Sequence, residues 1–127
     1  MPGYHEAIDL LLTRRSAKVL TLVEPGPDAA DLDTILRAGI RVPDHGKLAP
    51  WRFIVFRNDA RRAFGEYLKN AFAKAQPGAT GDQIEFEASR FTRAPVVVAV
   101  ISRVTPGIKI PEWEQFLSAG AVCLNML

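Results

Sequence analysis

Apolar side chains recur at helical spacing twice in the first forty residues. The first stretch predicts a helix from about Tyr4 to Arg14. A second helix is predicted after Asp28, a good N-cap residue, and is expected to end at Pro43. Residues 20–27 hold two prolines and a glycine, so they predict an extended or turning connection. The core-facing positions of the second helix are expected to be Leu32, Ile35, Leu36, Gly39 and Ile40.

The middle of the chain predicts a loop, a strand and a third helix. The loop spans Val42–Pro50, and the strand Arg52–Arg57 is rich in β-branched and aromatic residues. The helix is expected to be capped by Asn58 or Asp59. Its buried face is expected to comprise Phe64, Tyr67, Leu68, Ala71 and Phe72.

A short helix and a second strand follow the Gly- and Pro-rich turn at residues 76–81. Asp82, with Glu85 three residues on, resembles a capping box for a helix that runs to about Phe91. The segment Val96–Ile101 is apolar at every position. Such a segment predicts a strand in the interior of a sheet that is covered on both faces.

The last helix is predicted to begin near Glu112 and shows no stop signal before Leu127. The apolar period still runs at the last residue, which favours a chain that is incomplete at its C-terminus. A natural terminal helix that frays at its end is the alternative. The expected core face comprises Trp113, Phe116, Leu117, Gly120, Ala121, Leu124 and Leu127.

Length and composition indicate one globular domain, residues 1–127. The chain is 48% hydrophobic and 24% charged, with a net charge of +2 that does not argue for a nucleic-acid or membrane surface. Cys123 is the single cysteine, which excludes an internal disulfide and fits a reducing compartment. The first residues carry no cationic region followed by an apolar one, so no signal peptide is expected. These features together favour the cytoplasm.

The first candidate site is Thr13-Arg14-Arg15-Ser16, where the opening helix is expected to end. Two adjacent guanidinium groups and a hydroxyl can make charge-assisted bonds to a phosphate. The alternative is that both arginines are exposed cations placed favourably at a helix C-terminus, without a ligand. Local sequence alone leaves both interpretations open.

The second cluster lies in the loop from Arg41 to Trp51 between a helix and a strand. It carries Arg41, Asp44, His45 and Lys47, and Gly46 allows a close backbone approach. A loop so equipped at the edge of a sheet is a candidate ligand site. The alternative is structural: Asp44 caps a turn, His45 pairs with Asp44, and Trp51 belongs to the core.

Other sites are disfavoured by missing patterns. No GxGxxG or Walker sequence is present, and the two histidines, His5 and His45, form no HExxH pattern. No GxSxG nucleophile motif occurs, and no basic run is interleaved with aromatic residues. No metal site and no nucleic-acid surface are therefore expected. The small residues Ser118-Ala119-Gly120-Ala121 permit close approach of a helix or a flat ligand, and plain core packing explains them nearly as well.

Five motifs taken together in order resemble the nitroreductase family, in particular small bacterial members with a Pro-Asp-His loop. The resemblance covers essentially the whole chain. The motifs are Leu12-Thr13-Arg14-Arg15-Ser16, Pro43-Asp44-His45, Pro50-Trp51-Arg52-Phe53, Arg93-Ala94-Pro95 and Trp113-Glu114-Gln115.

The resemblance implies an α+β fold with a central antiparallel or mixed sheet flanked by helices, assembled as an intertwined homodimer. It also implies FMN at the dimer interface and NAD(P)H as the hydride donor. By match of position, Arg14, Arg15 and Ser16 would contact the flavin phosphate and ribityl chain. Arg41 and His45 would reach the flavin from the partner subunit. No catalytic side chain is implied, and Pro43, Asp44 and Lys47 of the same loop match the family less specifically.

The activity implied by the resemblance is a ping-pong transfer of hydride from NAD(P)H, through flavin N5, to a nitroaromatic or quinone-like acceptor. Nearby cations such as Arg14 or Arg15 would then also stabilise negative charge on the reduced ring. Members of the family continue beyond the equivalent of Leu127. The alternatives to an active enzyme are therefore a flavin-binding dimer without turnover and an inactive truncated fragment.

Overall fold

The structure, a computed structural model, describes residues 2–127, with side chains from His5 onward. This part of the chain forms five helices, two strands and three short 3-10 turns. The helices are α1 (Pro2–Thr13), α2 (Ala29–Gly39), α3 (Asp59–Ala75), α4 (Gly81–Ala88) and α5 (Glu112–Asn125). The strands are β1 (Trp51–Arg57) and β2 (Val96–Ser102), and the 3-10 turns are Val19–Thr21, His45–Lys47 and Ser89–Thr92.

Local capping chemistry sets where α2 and α4 begin. Asp28 accepts hydrogen bonds from the backbone N–H groups of Ala30 and Asp31, which confirms it as the N-cap of α2. Helix α2 ends at Gly39, four residues before the predicted stop at Pro43. The capping box predicted for α4 is wrong by two residues, because Thr80 and Gln83 form it.

Strands β1 and β2 form an antiparallel pair, with Phe53 opposite Val100 and Val55 opposite Val98. The α+β class is confirmed, and the sheet is antiparallel. The expectation that β2 is an interior strand covered on both faces is wrong for the described residues. There, β2 pairs with β1 alone, and its residues Val96–Ile101 are only half-buried.

An aromatic cluster joins the sheet to α3. Phe56 of β1 lies 4.8 Å from both Phe64 and Phe91, measured between ring centroids. The face predicted for α3 is partly confirmed, because Phe64, Leu68 and Phe72 are half-buried, whereas Tyr67 is 64% exposed and Ala71 is exposed as well. Gly65 is buried beside this face, and its missing side chain lets α3 approach the backbone of α4 closely.

Helix α5 packs against α2 and β2 through a face of small and polar residues. Val122 is fully buried, and Gln115, Ser118 and Ala119 are buried beside it. The predicted core face is wrong, because most of its large side chains are exposed. The exposed apolar side chains on α5 and just after it are Trp113, Phe116, Leu117, Leu124 and Leu127.

Helix α1 is exposed along its whole described surface. Every side chain from His5 to Thr13 is exposed, including Leu10, Leu11 and Leu12. The connection that follows contacts the body of the chain where Gly26 packs against Pro95 and Glu24 forms an ion pair with Arg61. A 12-residue helix gains most of its stability from packing its apolar face, and among the described residues α1 leaves that face uncovered.

Candidate functional site

The segment Thr13-Arg14-Arg15-Ser16 lies where α1 ends, as predicted. The Arg14 N–H donates to the Leu10 carbonyl over 2.8 Å, which extends the helical bonding by one residue. The Arg14 guanidinium then turns back, and its Nη2 donates to Ser16 Oγ over 3.0 Å. Arg15 Nη1 donates to the Arg14 carbonyl over 3.2 Å. A guanidinium and a hydroxyl are thus already assembled side by side.

The charge of this segment is not neutralised locally. Within the described part of the chain, neither Arg14 nor Arg15 forms an ion pair, and Arg15 and Ser16 are exposed. Two unpaired cations beside a hydroxyl suit a phosphate group. The same placement also suits cations at the C-terminus of α1. The geometry is compatible with both interpretations left open by the sequence.

The loop that holds His45 is shaped by Asp44 and by unusual backbone angles. The Asp44 carboxylate accepts hydrogen bonds from the N–H groups of Leu48 and Ala49 at 3.2 and 2.8 Å, so Asp44 caps a turn. Gly46, Lys47 and Ala49 have φ values of +74°, +53° and +45°. Left-handed backbone at non-glycine residues costs energy and is concentrated at functional sites.

His45 does not pair with Asp44. Its Nδ1 lies 2.7 Å from Oε2 of Glu114, which is 69 residues away in sequence and sits in the first turn of α5. Glu114 belongs to the Trp113-Glu114-Gln115 motif, but that motif suggested no role for its carboxylate. No local pattern could have found this pair, because nothing in the spacing of the two residues places the loop beside α5.

Hydrogen bonds from α5 hold the surrounding loops in place. Gln115 is 2% exposed: its side-chain carbonyl accepts a hydrogen bond from the Thr105 N–H, and its side-chain NH₂ group donates to the Thr105 and Ile110 carbonyls. Ser118 Oγ lies 2.9 Å from the Pro43 carbonyl, so α5 also anchors the loop just before His45. Ile110 in turn packs against Gly46, where a Cβ atom would collide with its side chain.

An open pocket of about 400 Å³ lies between this loop and α5. Its walls are mainly apolar, and the His45–Glu114 pair supplies polar groups. This combination of apolar walls and few polar groups is typical of sites for small organic ligands. The lining residues are Pro43, His45, Trp113, Glu114, Leu117, Ser118 and Ala121.

Arg41 does not line the pocket that contains His45. Its side chain is exposed and lines a shallow groove on α2 with Thr34, Arg37 and Ala38. Its carbonyl accepts a hydrogen bond from Asn125 Nδ2 over 3.1 Å. Among the described residues no hydrogen bond or ion pair links the arginine segment 14–16 to Arg41 or His45. One copy of the chain therefore brings Arg14 and Ser16 together but does not join them to the loop.

Neither a cluster of potential metal ligands nor a membrane-spanning helix occurs among the described residues. Residues 2–127 contain no group of three or more histidine, cysteine, aspartate or glutamate residues suited to hold a metal ion. None of the helices in that range combines the length and hydropathy needed to cross a bilayer. The displaced pKa values lie elsewhere: the hydrogen bond from Arg90 lowers the pKa of Glu87 on α4.

Comparisons with known proteins agree with the sequence motifs. A sequence model of the nitroreductase family matches residues 11–127. The "Putative NAD(P)H nitroreductase YdjA" of Escherichia coli K12 is 36% identical over 121 residues. The "Putative NAD(P)H nitroreductase" of Haemophilus influenzae is 41% identical over 123 residues. Each alignment covers 95% of this chain and 64% of the relative, so the chain spans less than two thirds of those proteins.

A solved structure shows the same fold. The nitroreductase-like family protein from Bacillus cereus superposes with a TM-score of 0.75, at 18% sequence identity. The match covers 94% of this chain and 60% of that one. The nitroreductase-like architecture implied by the motifs is thereby confirmed.

Proposed function

The chain belongs to the nitroreductase family, and from this premise we propose that it acts as an FMN-dependent oxidoreductase that uses NAD(P)H. The acceptor would be a nitroaromatic or quinone-like molecule. The observation that carries the proposal is the family match over residues 11–127, which includes both the arginine segment and the His45 loop. The NAD(P)H nitroreductase names of the relatives support the donor.

The residues present fit the phosphate of FMN. Arg14 Nη2 already donates to Ser16 Oγ, and Arg15 beside them has no acidic partner among the described side chains. A phosphate oxygen can replace or share these contacts without breaking an ion pair, so binding would gain the full charge-assisted bonds. Arg14, Arg15 and Ser16 would therefore hold the phosphate and the ribityl chain.

The second half of the site would come from another copy of the chain. We assign Arg41 and His45 of the partner subunit to the flavin, because one copy does not join them to the arginine segment. The exposed apolar side chains of α1 and α5 supply a surface for a homodimer. A stable homodimer interface has a well-packed apolar core, and these side chains would form it once two copies associate.

When bound, FMN supplies the redox chemistry, accepting hydride from NAD(P)H and passing it to the acceptor. The protein's own residues would bind, orient and set charge. Arg14 and Arg15 would favour negative charge near the ring or the phosphate. No side chain of this chain is assigned a proton-transfer role. A His45→Ala variant that still holds FMN should therefore retain turnover, and loss of turnover in it would contradict this assignment.

The visible spectrum of the purified protein tests the proposal. Flavin absorption that bleaches on addition of NADPH or NADH is expected. Absorption that does not bleach would indicate a flavin-binding protein without turnover. Absence of absorption, also after addition of FMN, would contradict the proposal and favour an inactive fragment.

The phosphate assignment is tested by removing both guanidinium groups. The double variant Arg14→Ala, Arg15→Ala should bind FMN at least about tenfold more weakly, since each charge-assisted bond contributes roughly 1.5–3 kcal/mol. Lys18→Ala removes one exposed cation two residues after the arginine segment 14–16 and is the control. Equal effects of the two changes would show a general charge effect and refute the assignment.

The dimer is tested separately. Phe116→Glu places a charge on the exposed face of α5, where Phe116 is 55% exposed, and should shift the mass in light scattering from dimer to monomer. Tyr67→Glu changes a comparably exposed aromatic residue on α3 and should leave the mass unchanged. A wild-type protein that is monomeric at micromolar concentration would contradict the shared site.

A further inference from the structure

The contact between His45 and Glu114 defines which ring nitrogen faces a ligand. His45 lines the pocket, and its Nδ1 is engaged by Glu114 Oε2 at 2.7 Å. We infer that Glu114 is a positioning residue for His45: its carboxylate holds the imidazole in the Nδ1–H tautomer and leaves Nε2 as a hydrogen-bond acceptor for a ligand in the pocket.

The donor and acceptor capacities of the two groups decide which ring nitrogen carries the hydrogen. An ionised carboxylate accepts hydrogen bonds and cannot donate them, so the hydrogen in this contact belongs to Nδ1. In a neutral imidazole the other nitrogen then has a free lone pair. A solvated imidazole without a partner at Nδ1 carries its proton mainly on Nε2. Glu114 therefore reverses the intrinsic preference and turns Nε2 from a donor into an acceptor.

Both ends of the pair stand on anchored backbone. Asp44 fixes the turn that carries His45, and Ser118 Oγ, within 3.1 Å of the Glu114 carbonyl, also reaches the Pro43 carbonyl. The buried Gln115 next to Glu114 holds the start of α5. The Glu114 side chain is 28% exposed and that of His45 is 65% exposed, so these backbone anchors, rather than deep burial, limit the freedom of the pair.

The pocket restricts the ligand to one class. Its walls of Pro43, Trp113, Leu117 and Ala121 suit an uncharged, mainly apolar group, and Nε2 calls for one O–H or N–H donor on that group. A ring N–H or a sugar-alcohol hydroxyl meets both demands. Identifying the ligand as the flavin rests on the proposed function, whereas the tautomer of His45 does not.

Long-range ¹H–¹⁵N correlation spectra of the full-length protein test the tautomer directly, in alkaline buffer where imidazoles are neutral. The sequence has only His5 and His45, so a His5→Gln variant identifies the His45 signals. We expect the Nδ1–H pattern for His45 in the wild type and the Nε2–H pattern in Glu114→Ala. An Nε2–H pattern in the wild type, or the same pattern in both proteins, would overturn the inference.

A matched control comes from the same turn of α5. Glu112→Ala also removes a first-turn carboxylate, but Glu112 is exposed and, within the described residues, forms no hydrogen bond or ion pair with His45. This variant should keep the Nδ1–H pattern, and a switch to Nε2–H in it would refute a specific role of Glu114. If Glu114→Ala fails to fold, the wild-type spectrum alone decides between the Nδ1–H and Nε2–H forms.

FMN affinity tests the ligand separately. Loss of one hydrogen bond predicts about threefold to tenfold weaker FMN binding in Glu114→Ala and less than about a twofold change in Glu112→Ala. An altered tautomer with unaltered FMN affinity would overturn the assignment of the flavin as the ligand. A wild-type protein that shows the Nδ1–H form but binds no FMN would refute the proposed function and leave the role of Glu114 intact.

Discussion

Replacing Gln115 with leucine removes the hydrogen bonds that tie the loop after β2 to α5. The amide of Gln115 accepts from the Thr105 N–H at 2.8 Å and donates to the Thr105 and Ile110 carbonyls, each at 3.1 Å. Leucine has a similar volume and no polar group, so packing is largely kept while all three bonds are lost. The perturbation reaches the site, because Ile110 packs against Gly46 beside His45.

The structure sets the size of the expected loss. Each hydrogen bond contributes about 0.5–1.5 kcal/mol net, and a buried polar group left without a partner costs about 1–3 kcal/mol. Thr105 is exposed, so water can replace part of its lost bonding. Leucine in turn gains some free energy from burial. We expect a loss of about 2–3 kcal/mol in the free energy of unfolding, which corresponds to a Tm roughly 6–12 °C lower.

Urea unfolding followed by circular dichroism measures this loss, with Gln76→Leu as the control. Gln76 is exposed at the end of α3, and its side chain makes no hydrogen bond within the described residues. Its substitution should change stability by less than about 0.5 kcal/mol. The reasoning would be refuted if Gln115→Leu were as stable as Gln76→Leu.

Two further predictions concern α3 and α4. Gly65→Ala should lower the free energy of unfolding, measured in urea, by about 1–3 kcal/mol, because the new Cβ atom would lie 2.5 Å from the Ala88 carbonyl oxygen. Gly78→Ala is the control and should be nearly neutral, since no atom lies near its new Cβ atom. Equal losses in the two variants would contradict this prediction. Arg90→Ala should raise the pKa of Glu87, measured by NMR titration, since the Arg90 hydrogen bond lowers it. The stabilisation by this pair is present above the unfolded-state pKa of the carboxyl and is lost as the pH falls through its lower folded-state pKa; an unchanged titration would refute the assignment.

Local signals predicted the elements well and their buried faces poorly. Asp28 marked the start of α2, and both apolar strands were located to within one residue of their observed ends. On α5, by contrast, the buried side includes Gln115 and Ser118, which become favourable inside because their polar atoms are bonded to loop carbonyls. Periodicity ranks residues by hydropathy and cannot anticipate such partners.

The candidate site likewise contains one contact that the sequence can suggest and one that it cannot. Arg14 and Ser16 are two residues apart, so their contact follows from local geometry that sequence can suggest. The pairing of His45 with Glu114 depends on how α5 packs beside a loop 69 residues earlier. A long-range contact of this kind is set by the tertiary fold and leaves no trace in residue spacing. The turn-capping role of Asp44, one of two options from the sequence, needed the structure to be decided.

The central claim is that two copies of the chain complete one flavin site. Mixed dimers test it: Arg14→Ala, Arg15→Ala protein is co-expressed with Arg41→Ala, His45→Ala protein under different affinity tags. Each mixed dimer should contain one intact site and one with all four residues removed. We predict that the doubly tagged species binds FMN with wild-type affinity at one per dimer, while each parent homodimer binds weakly. Mixed dimers as weak as both parents would contradict a site shared between subunits.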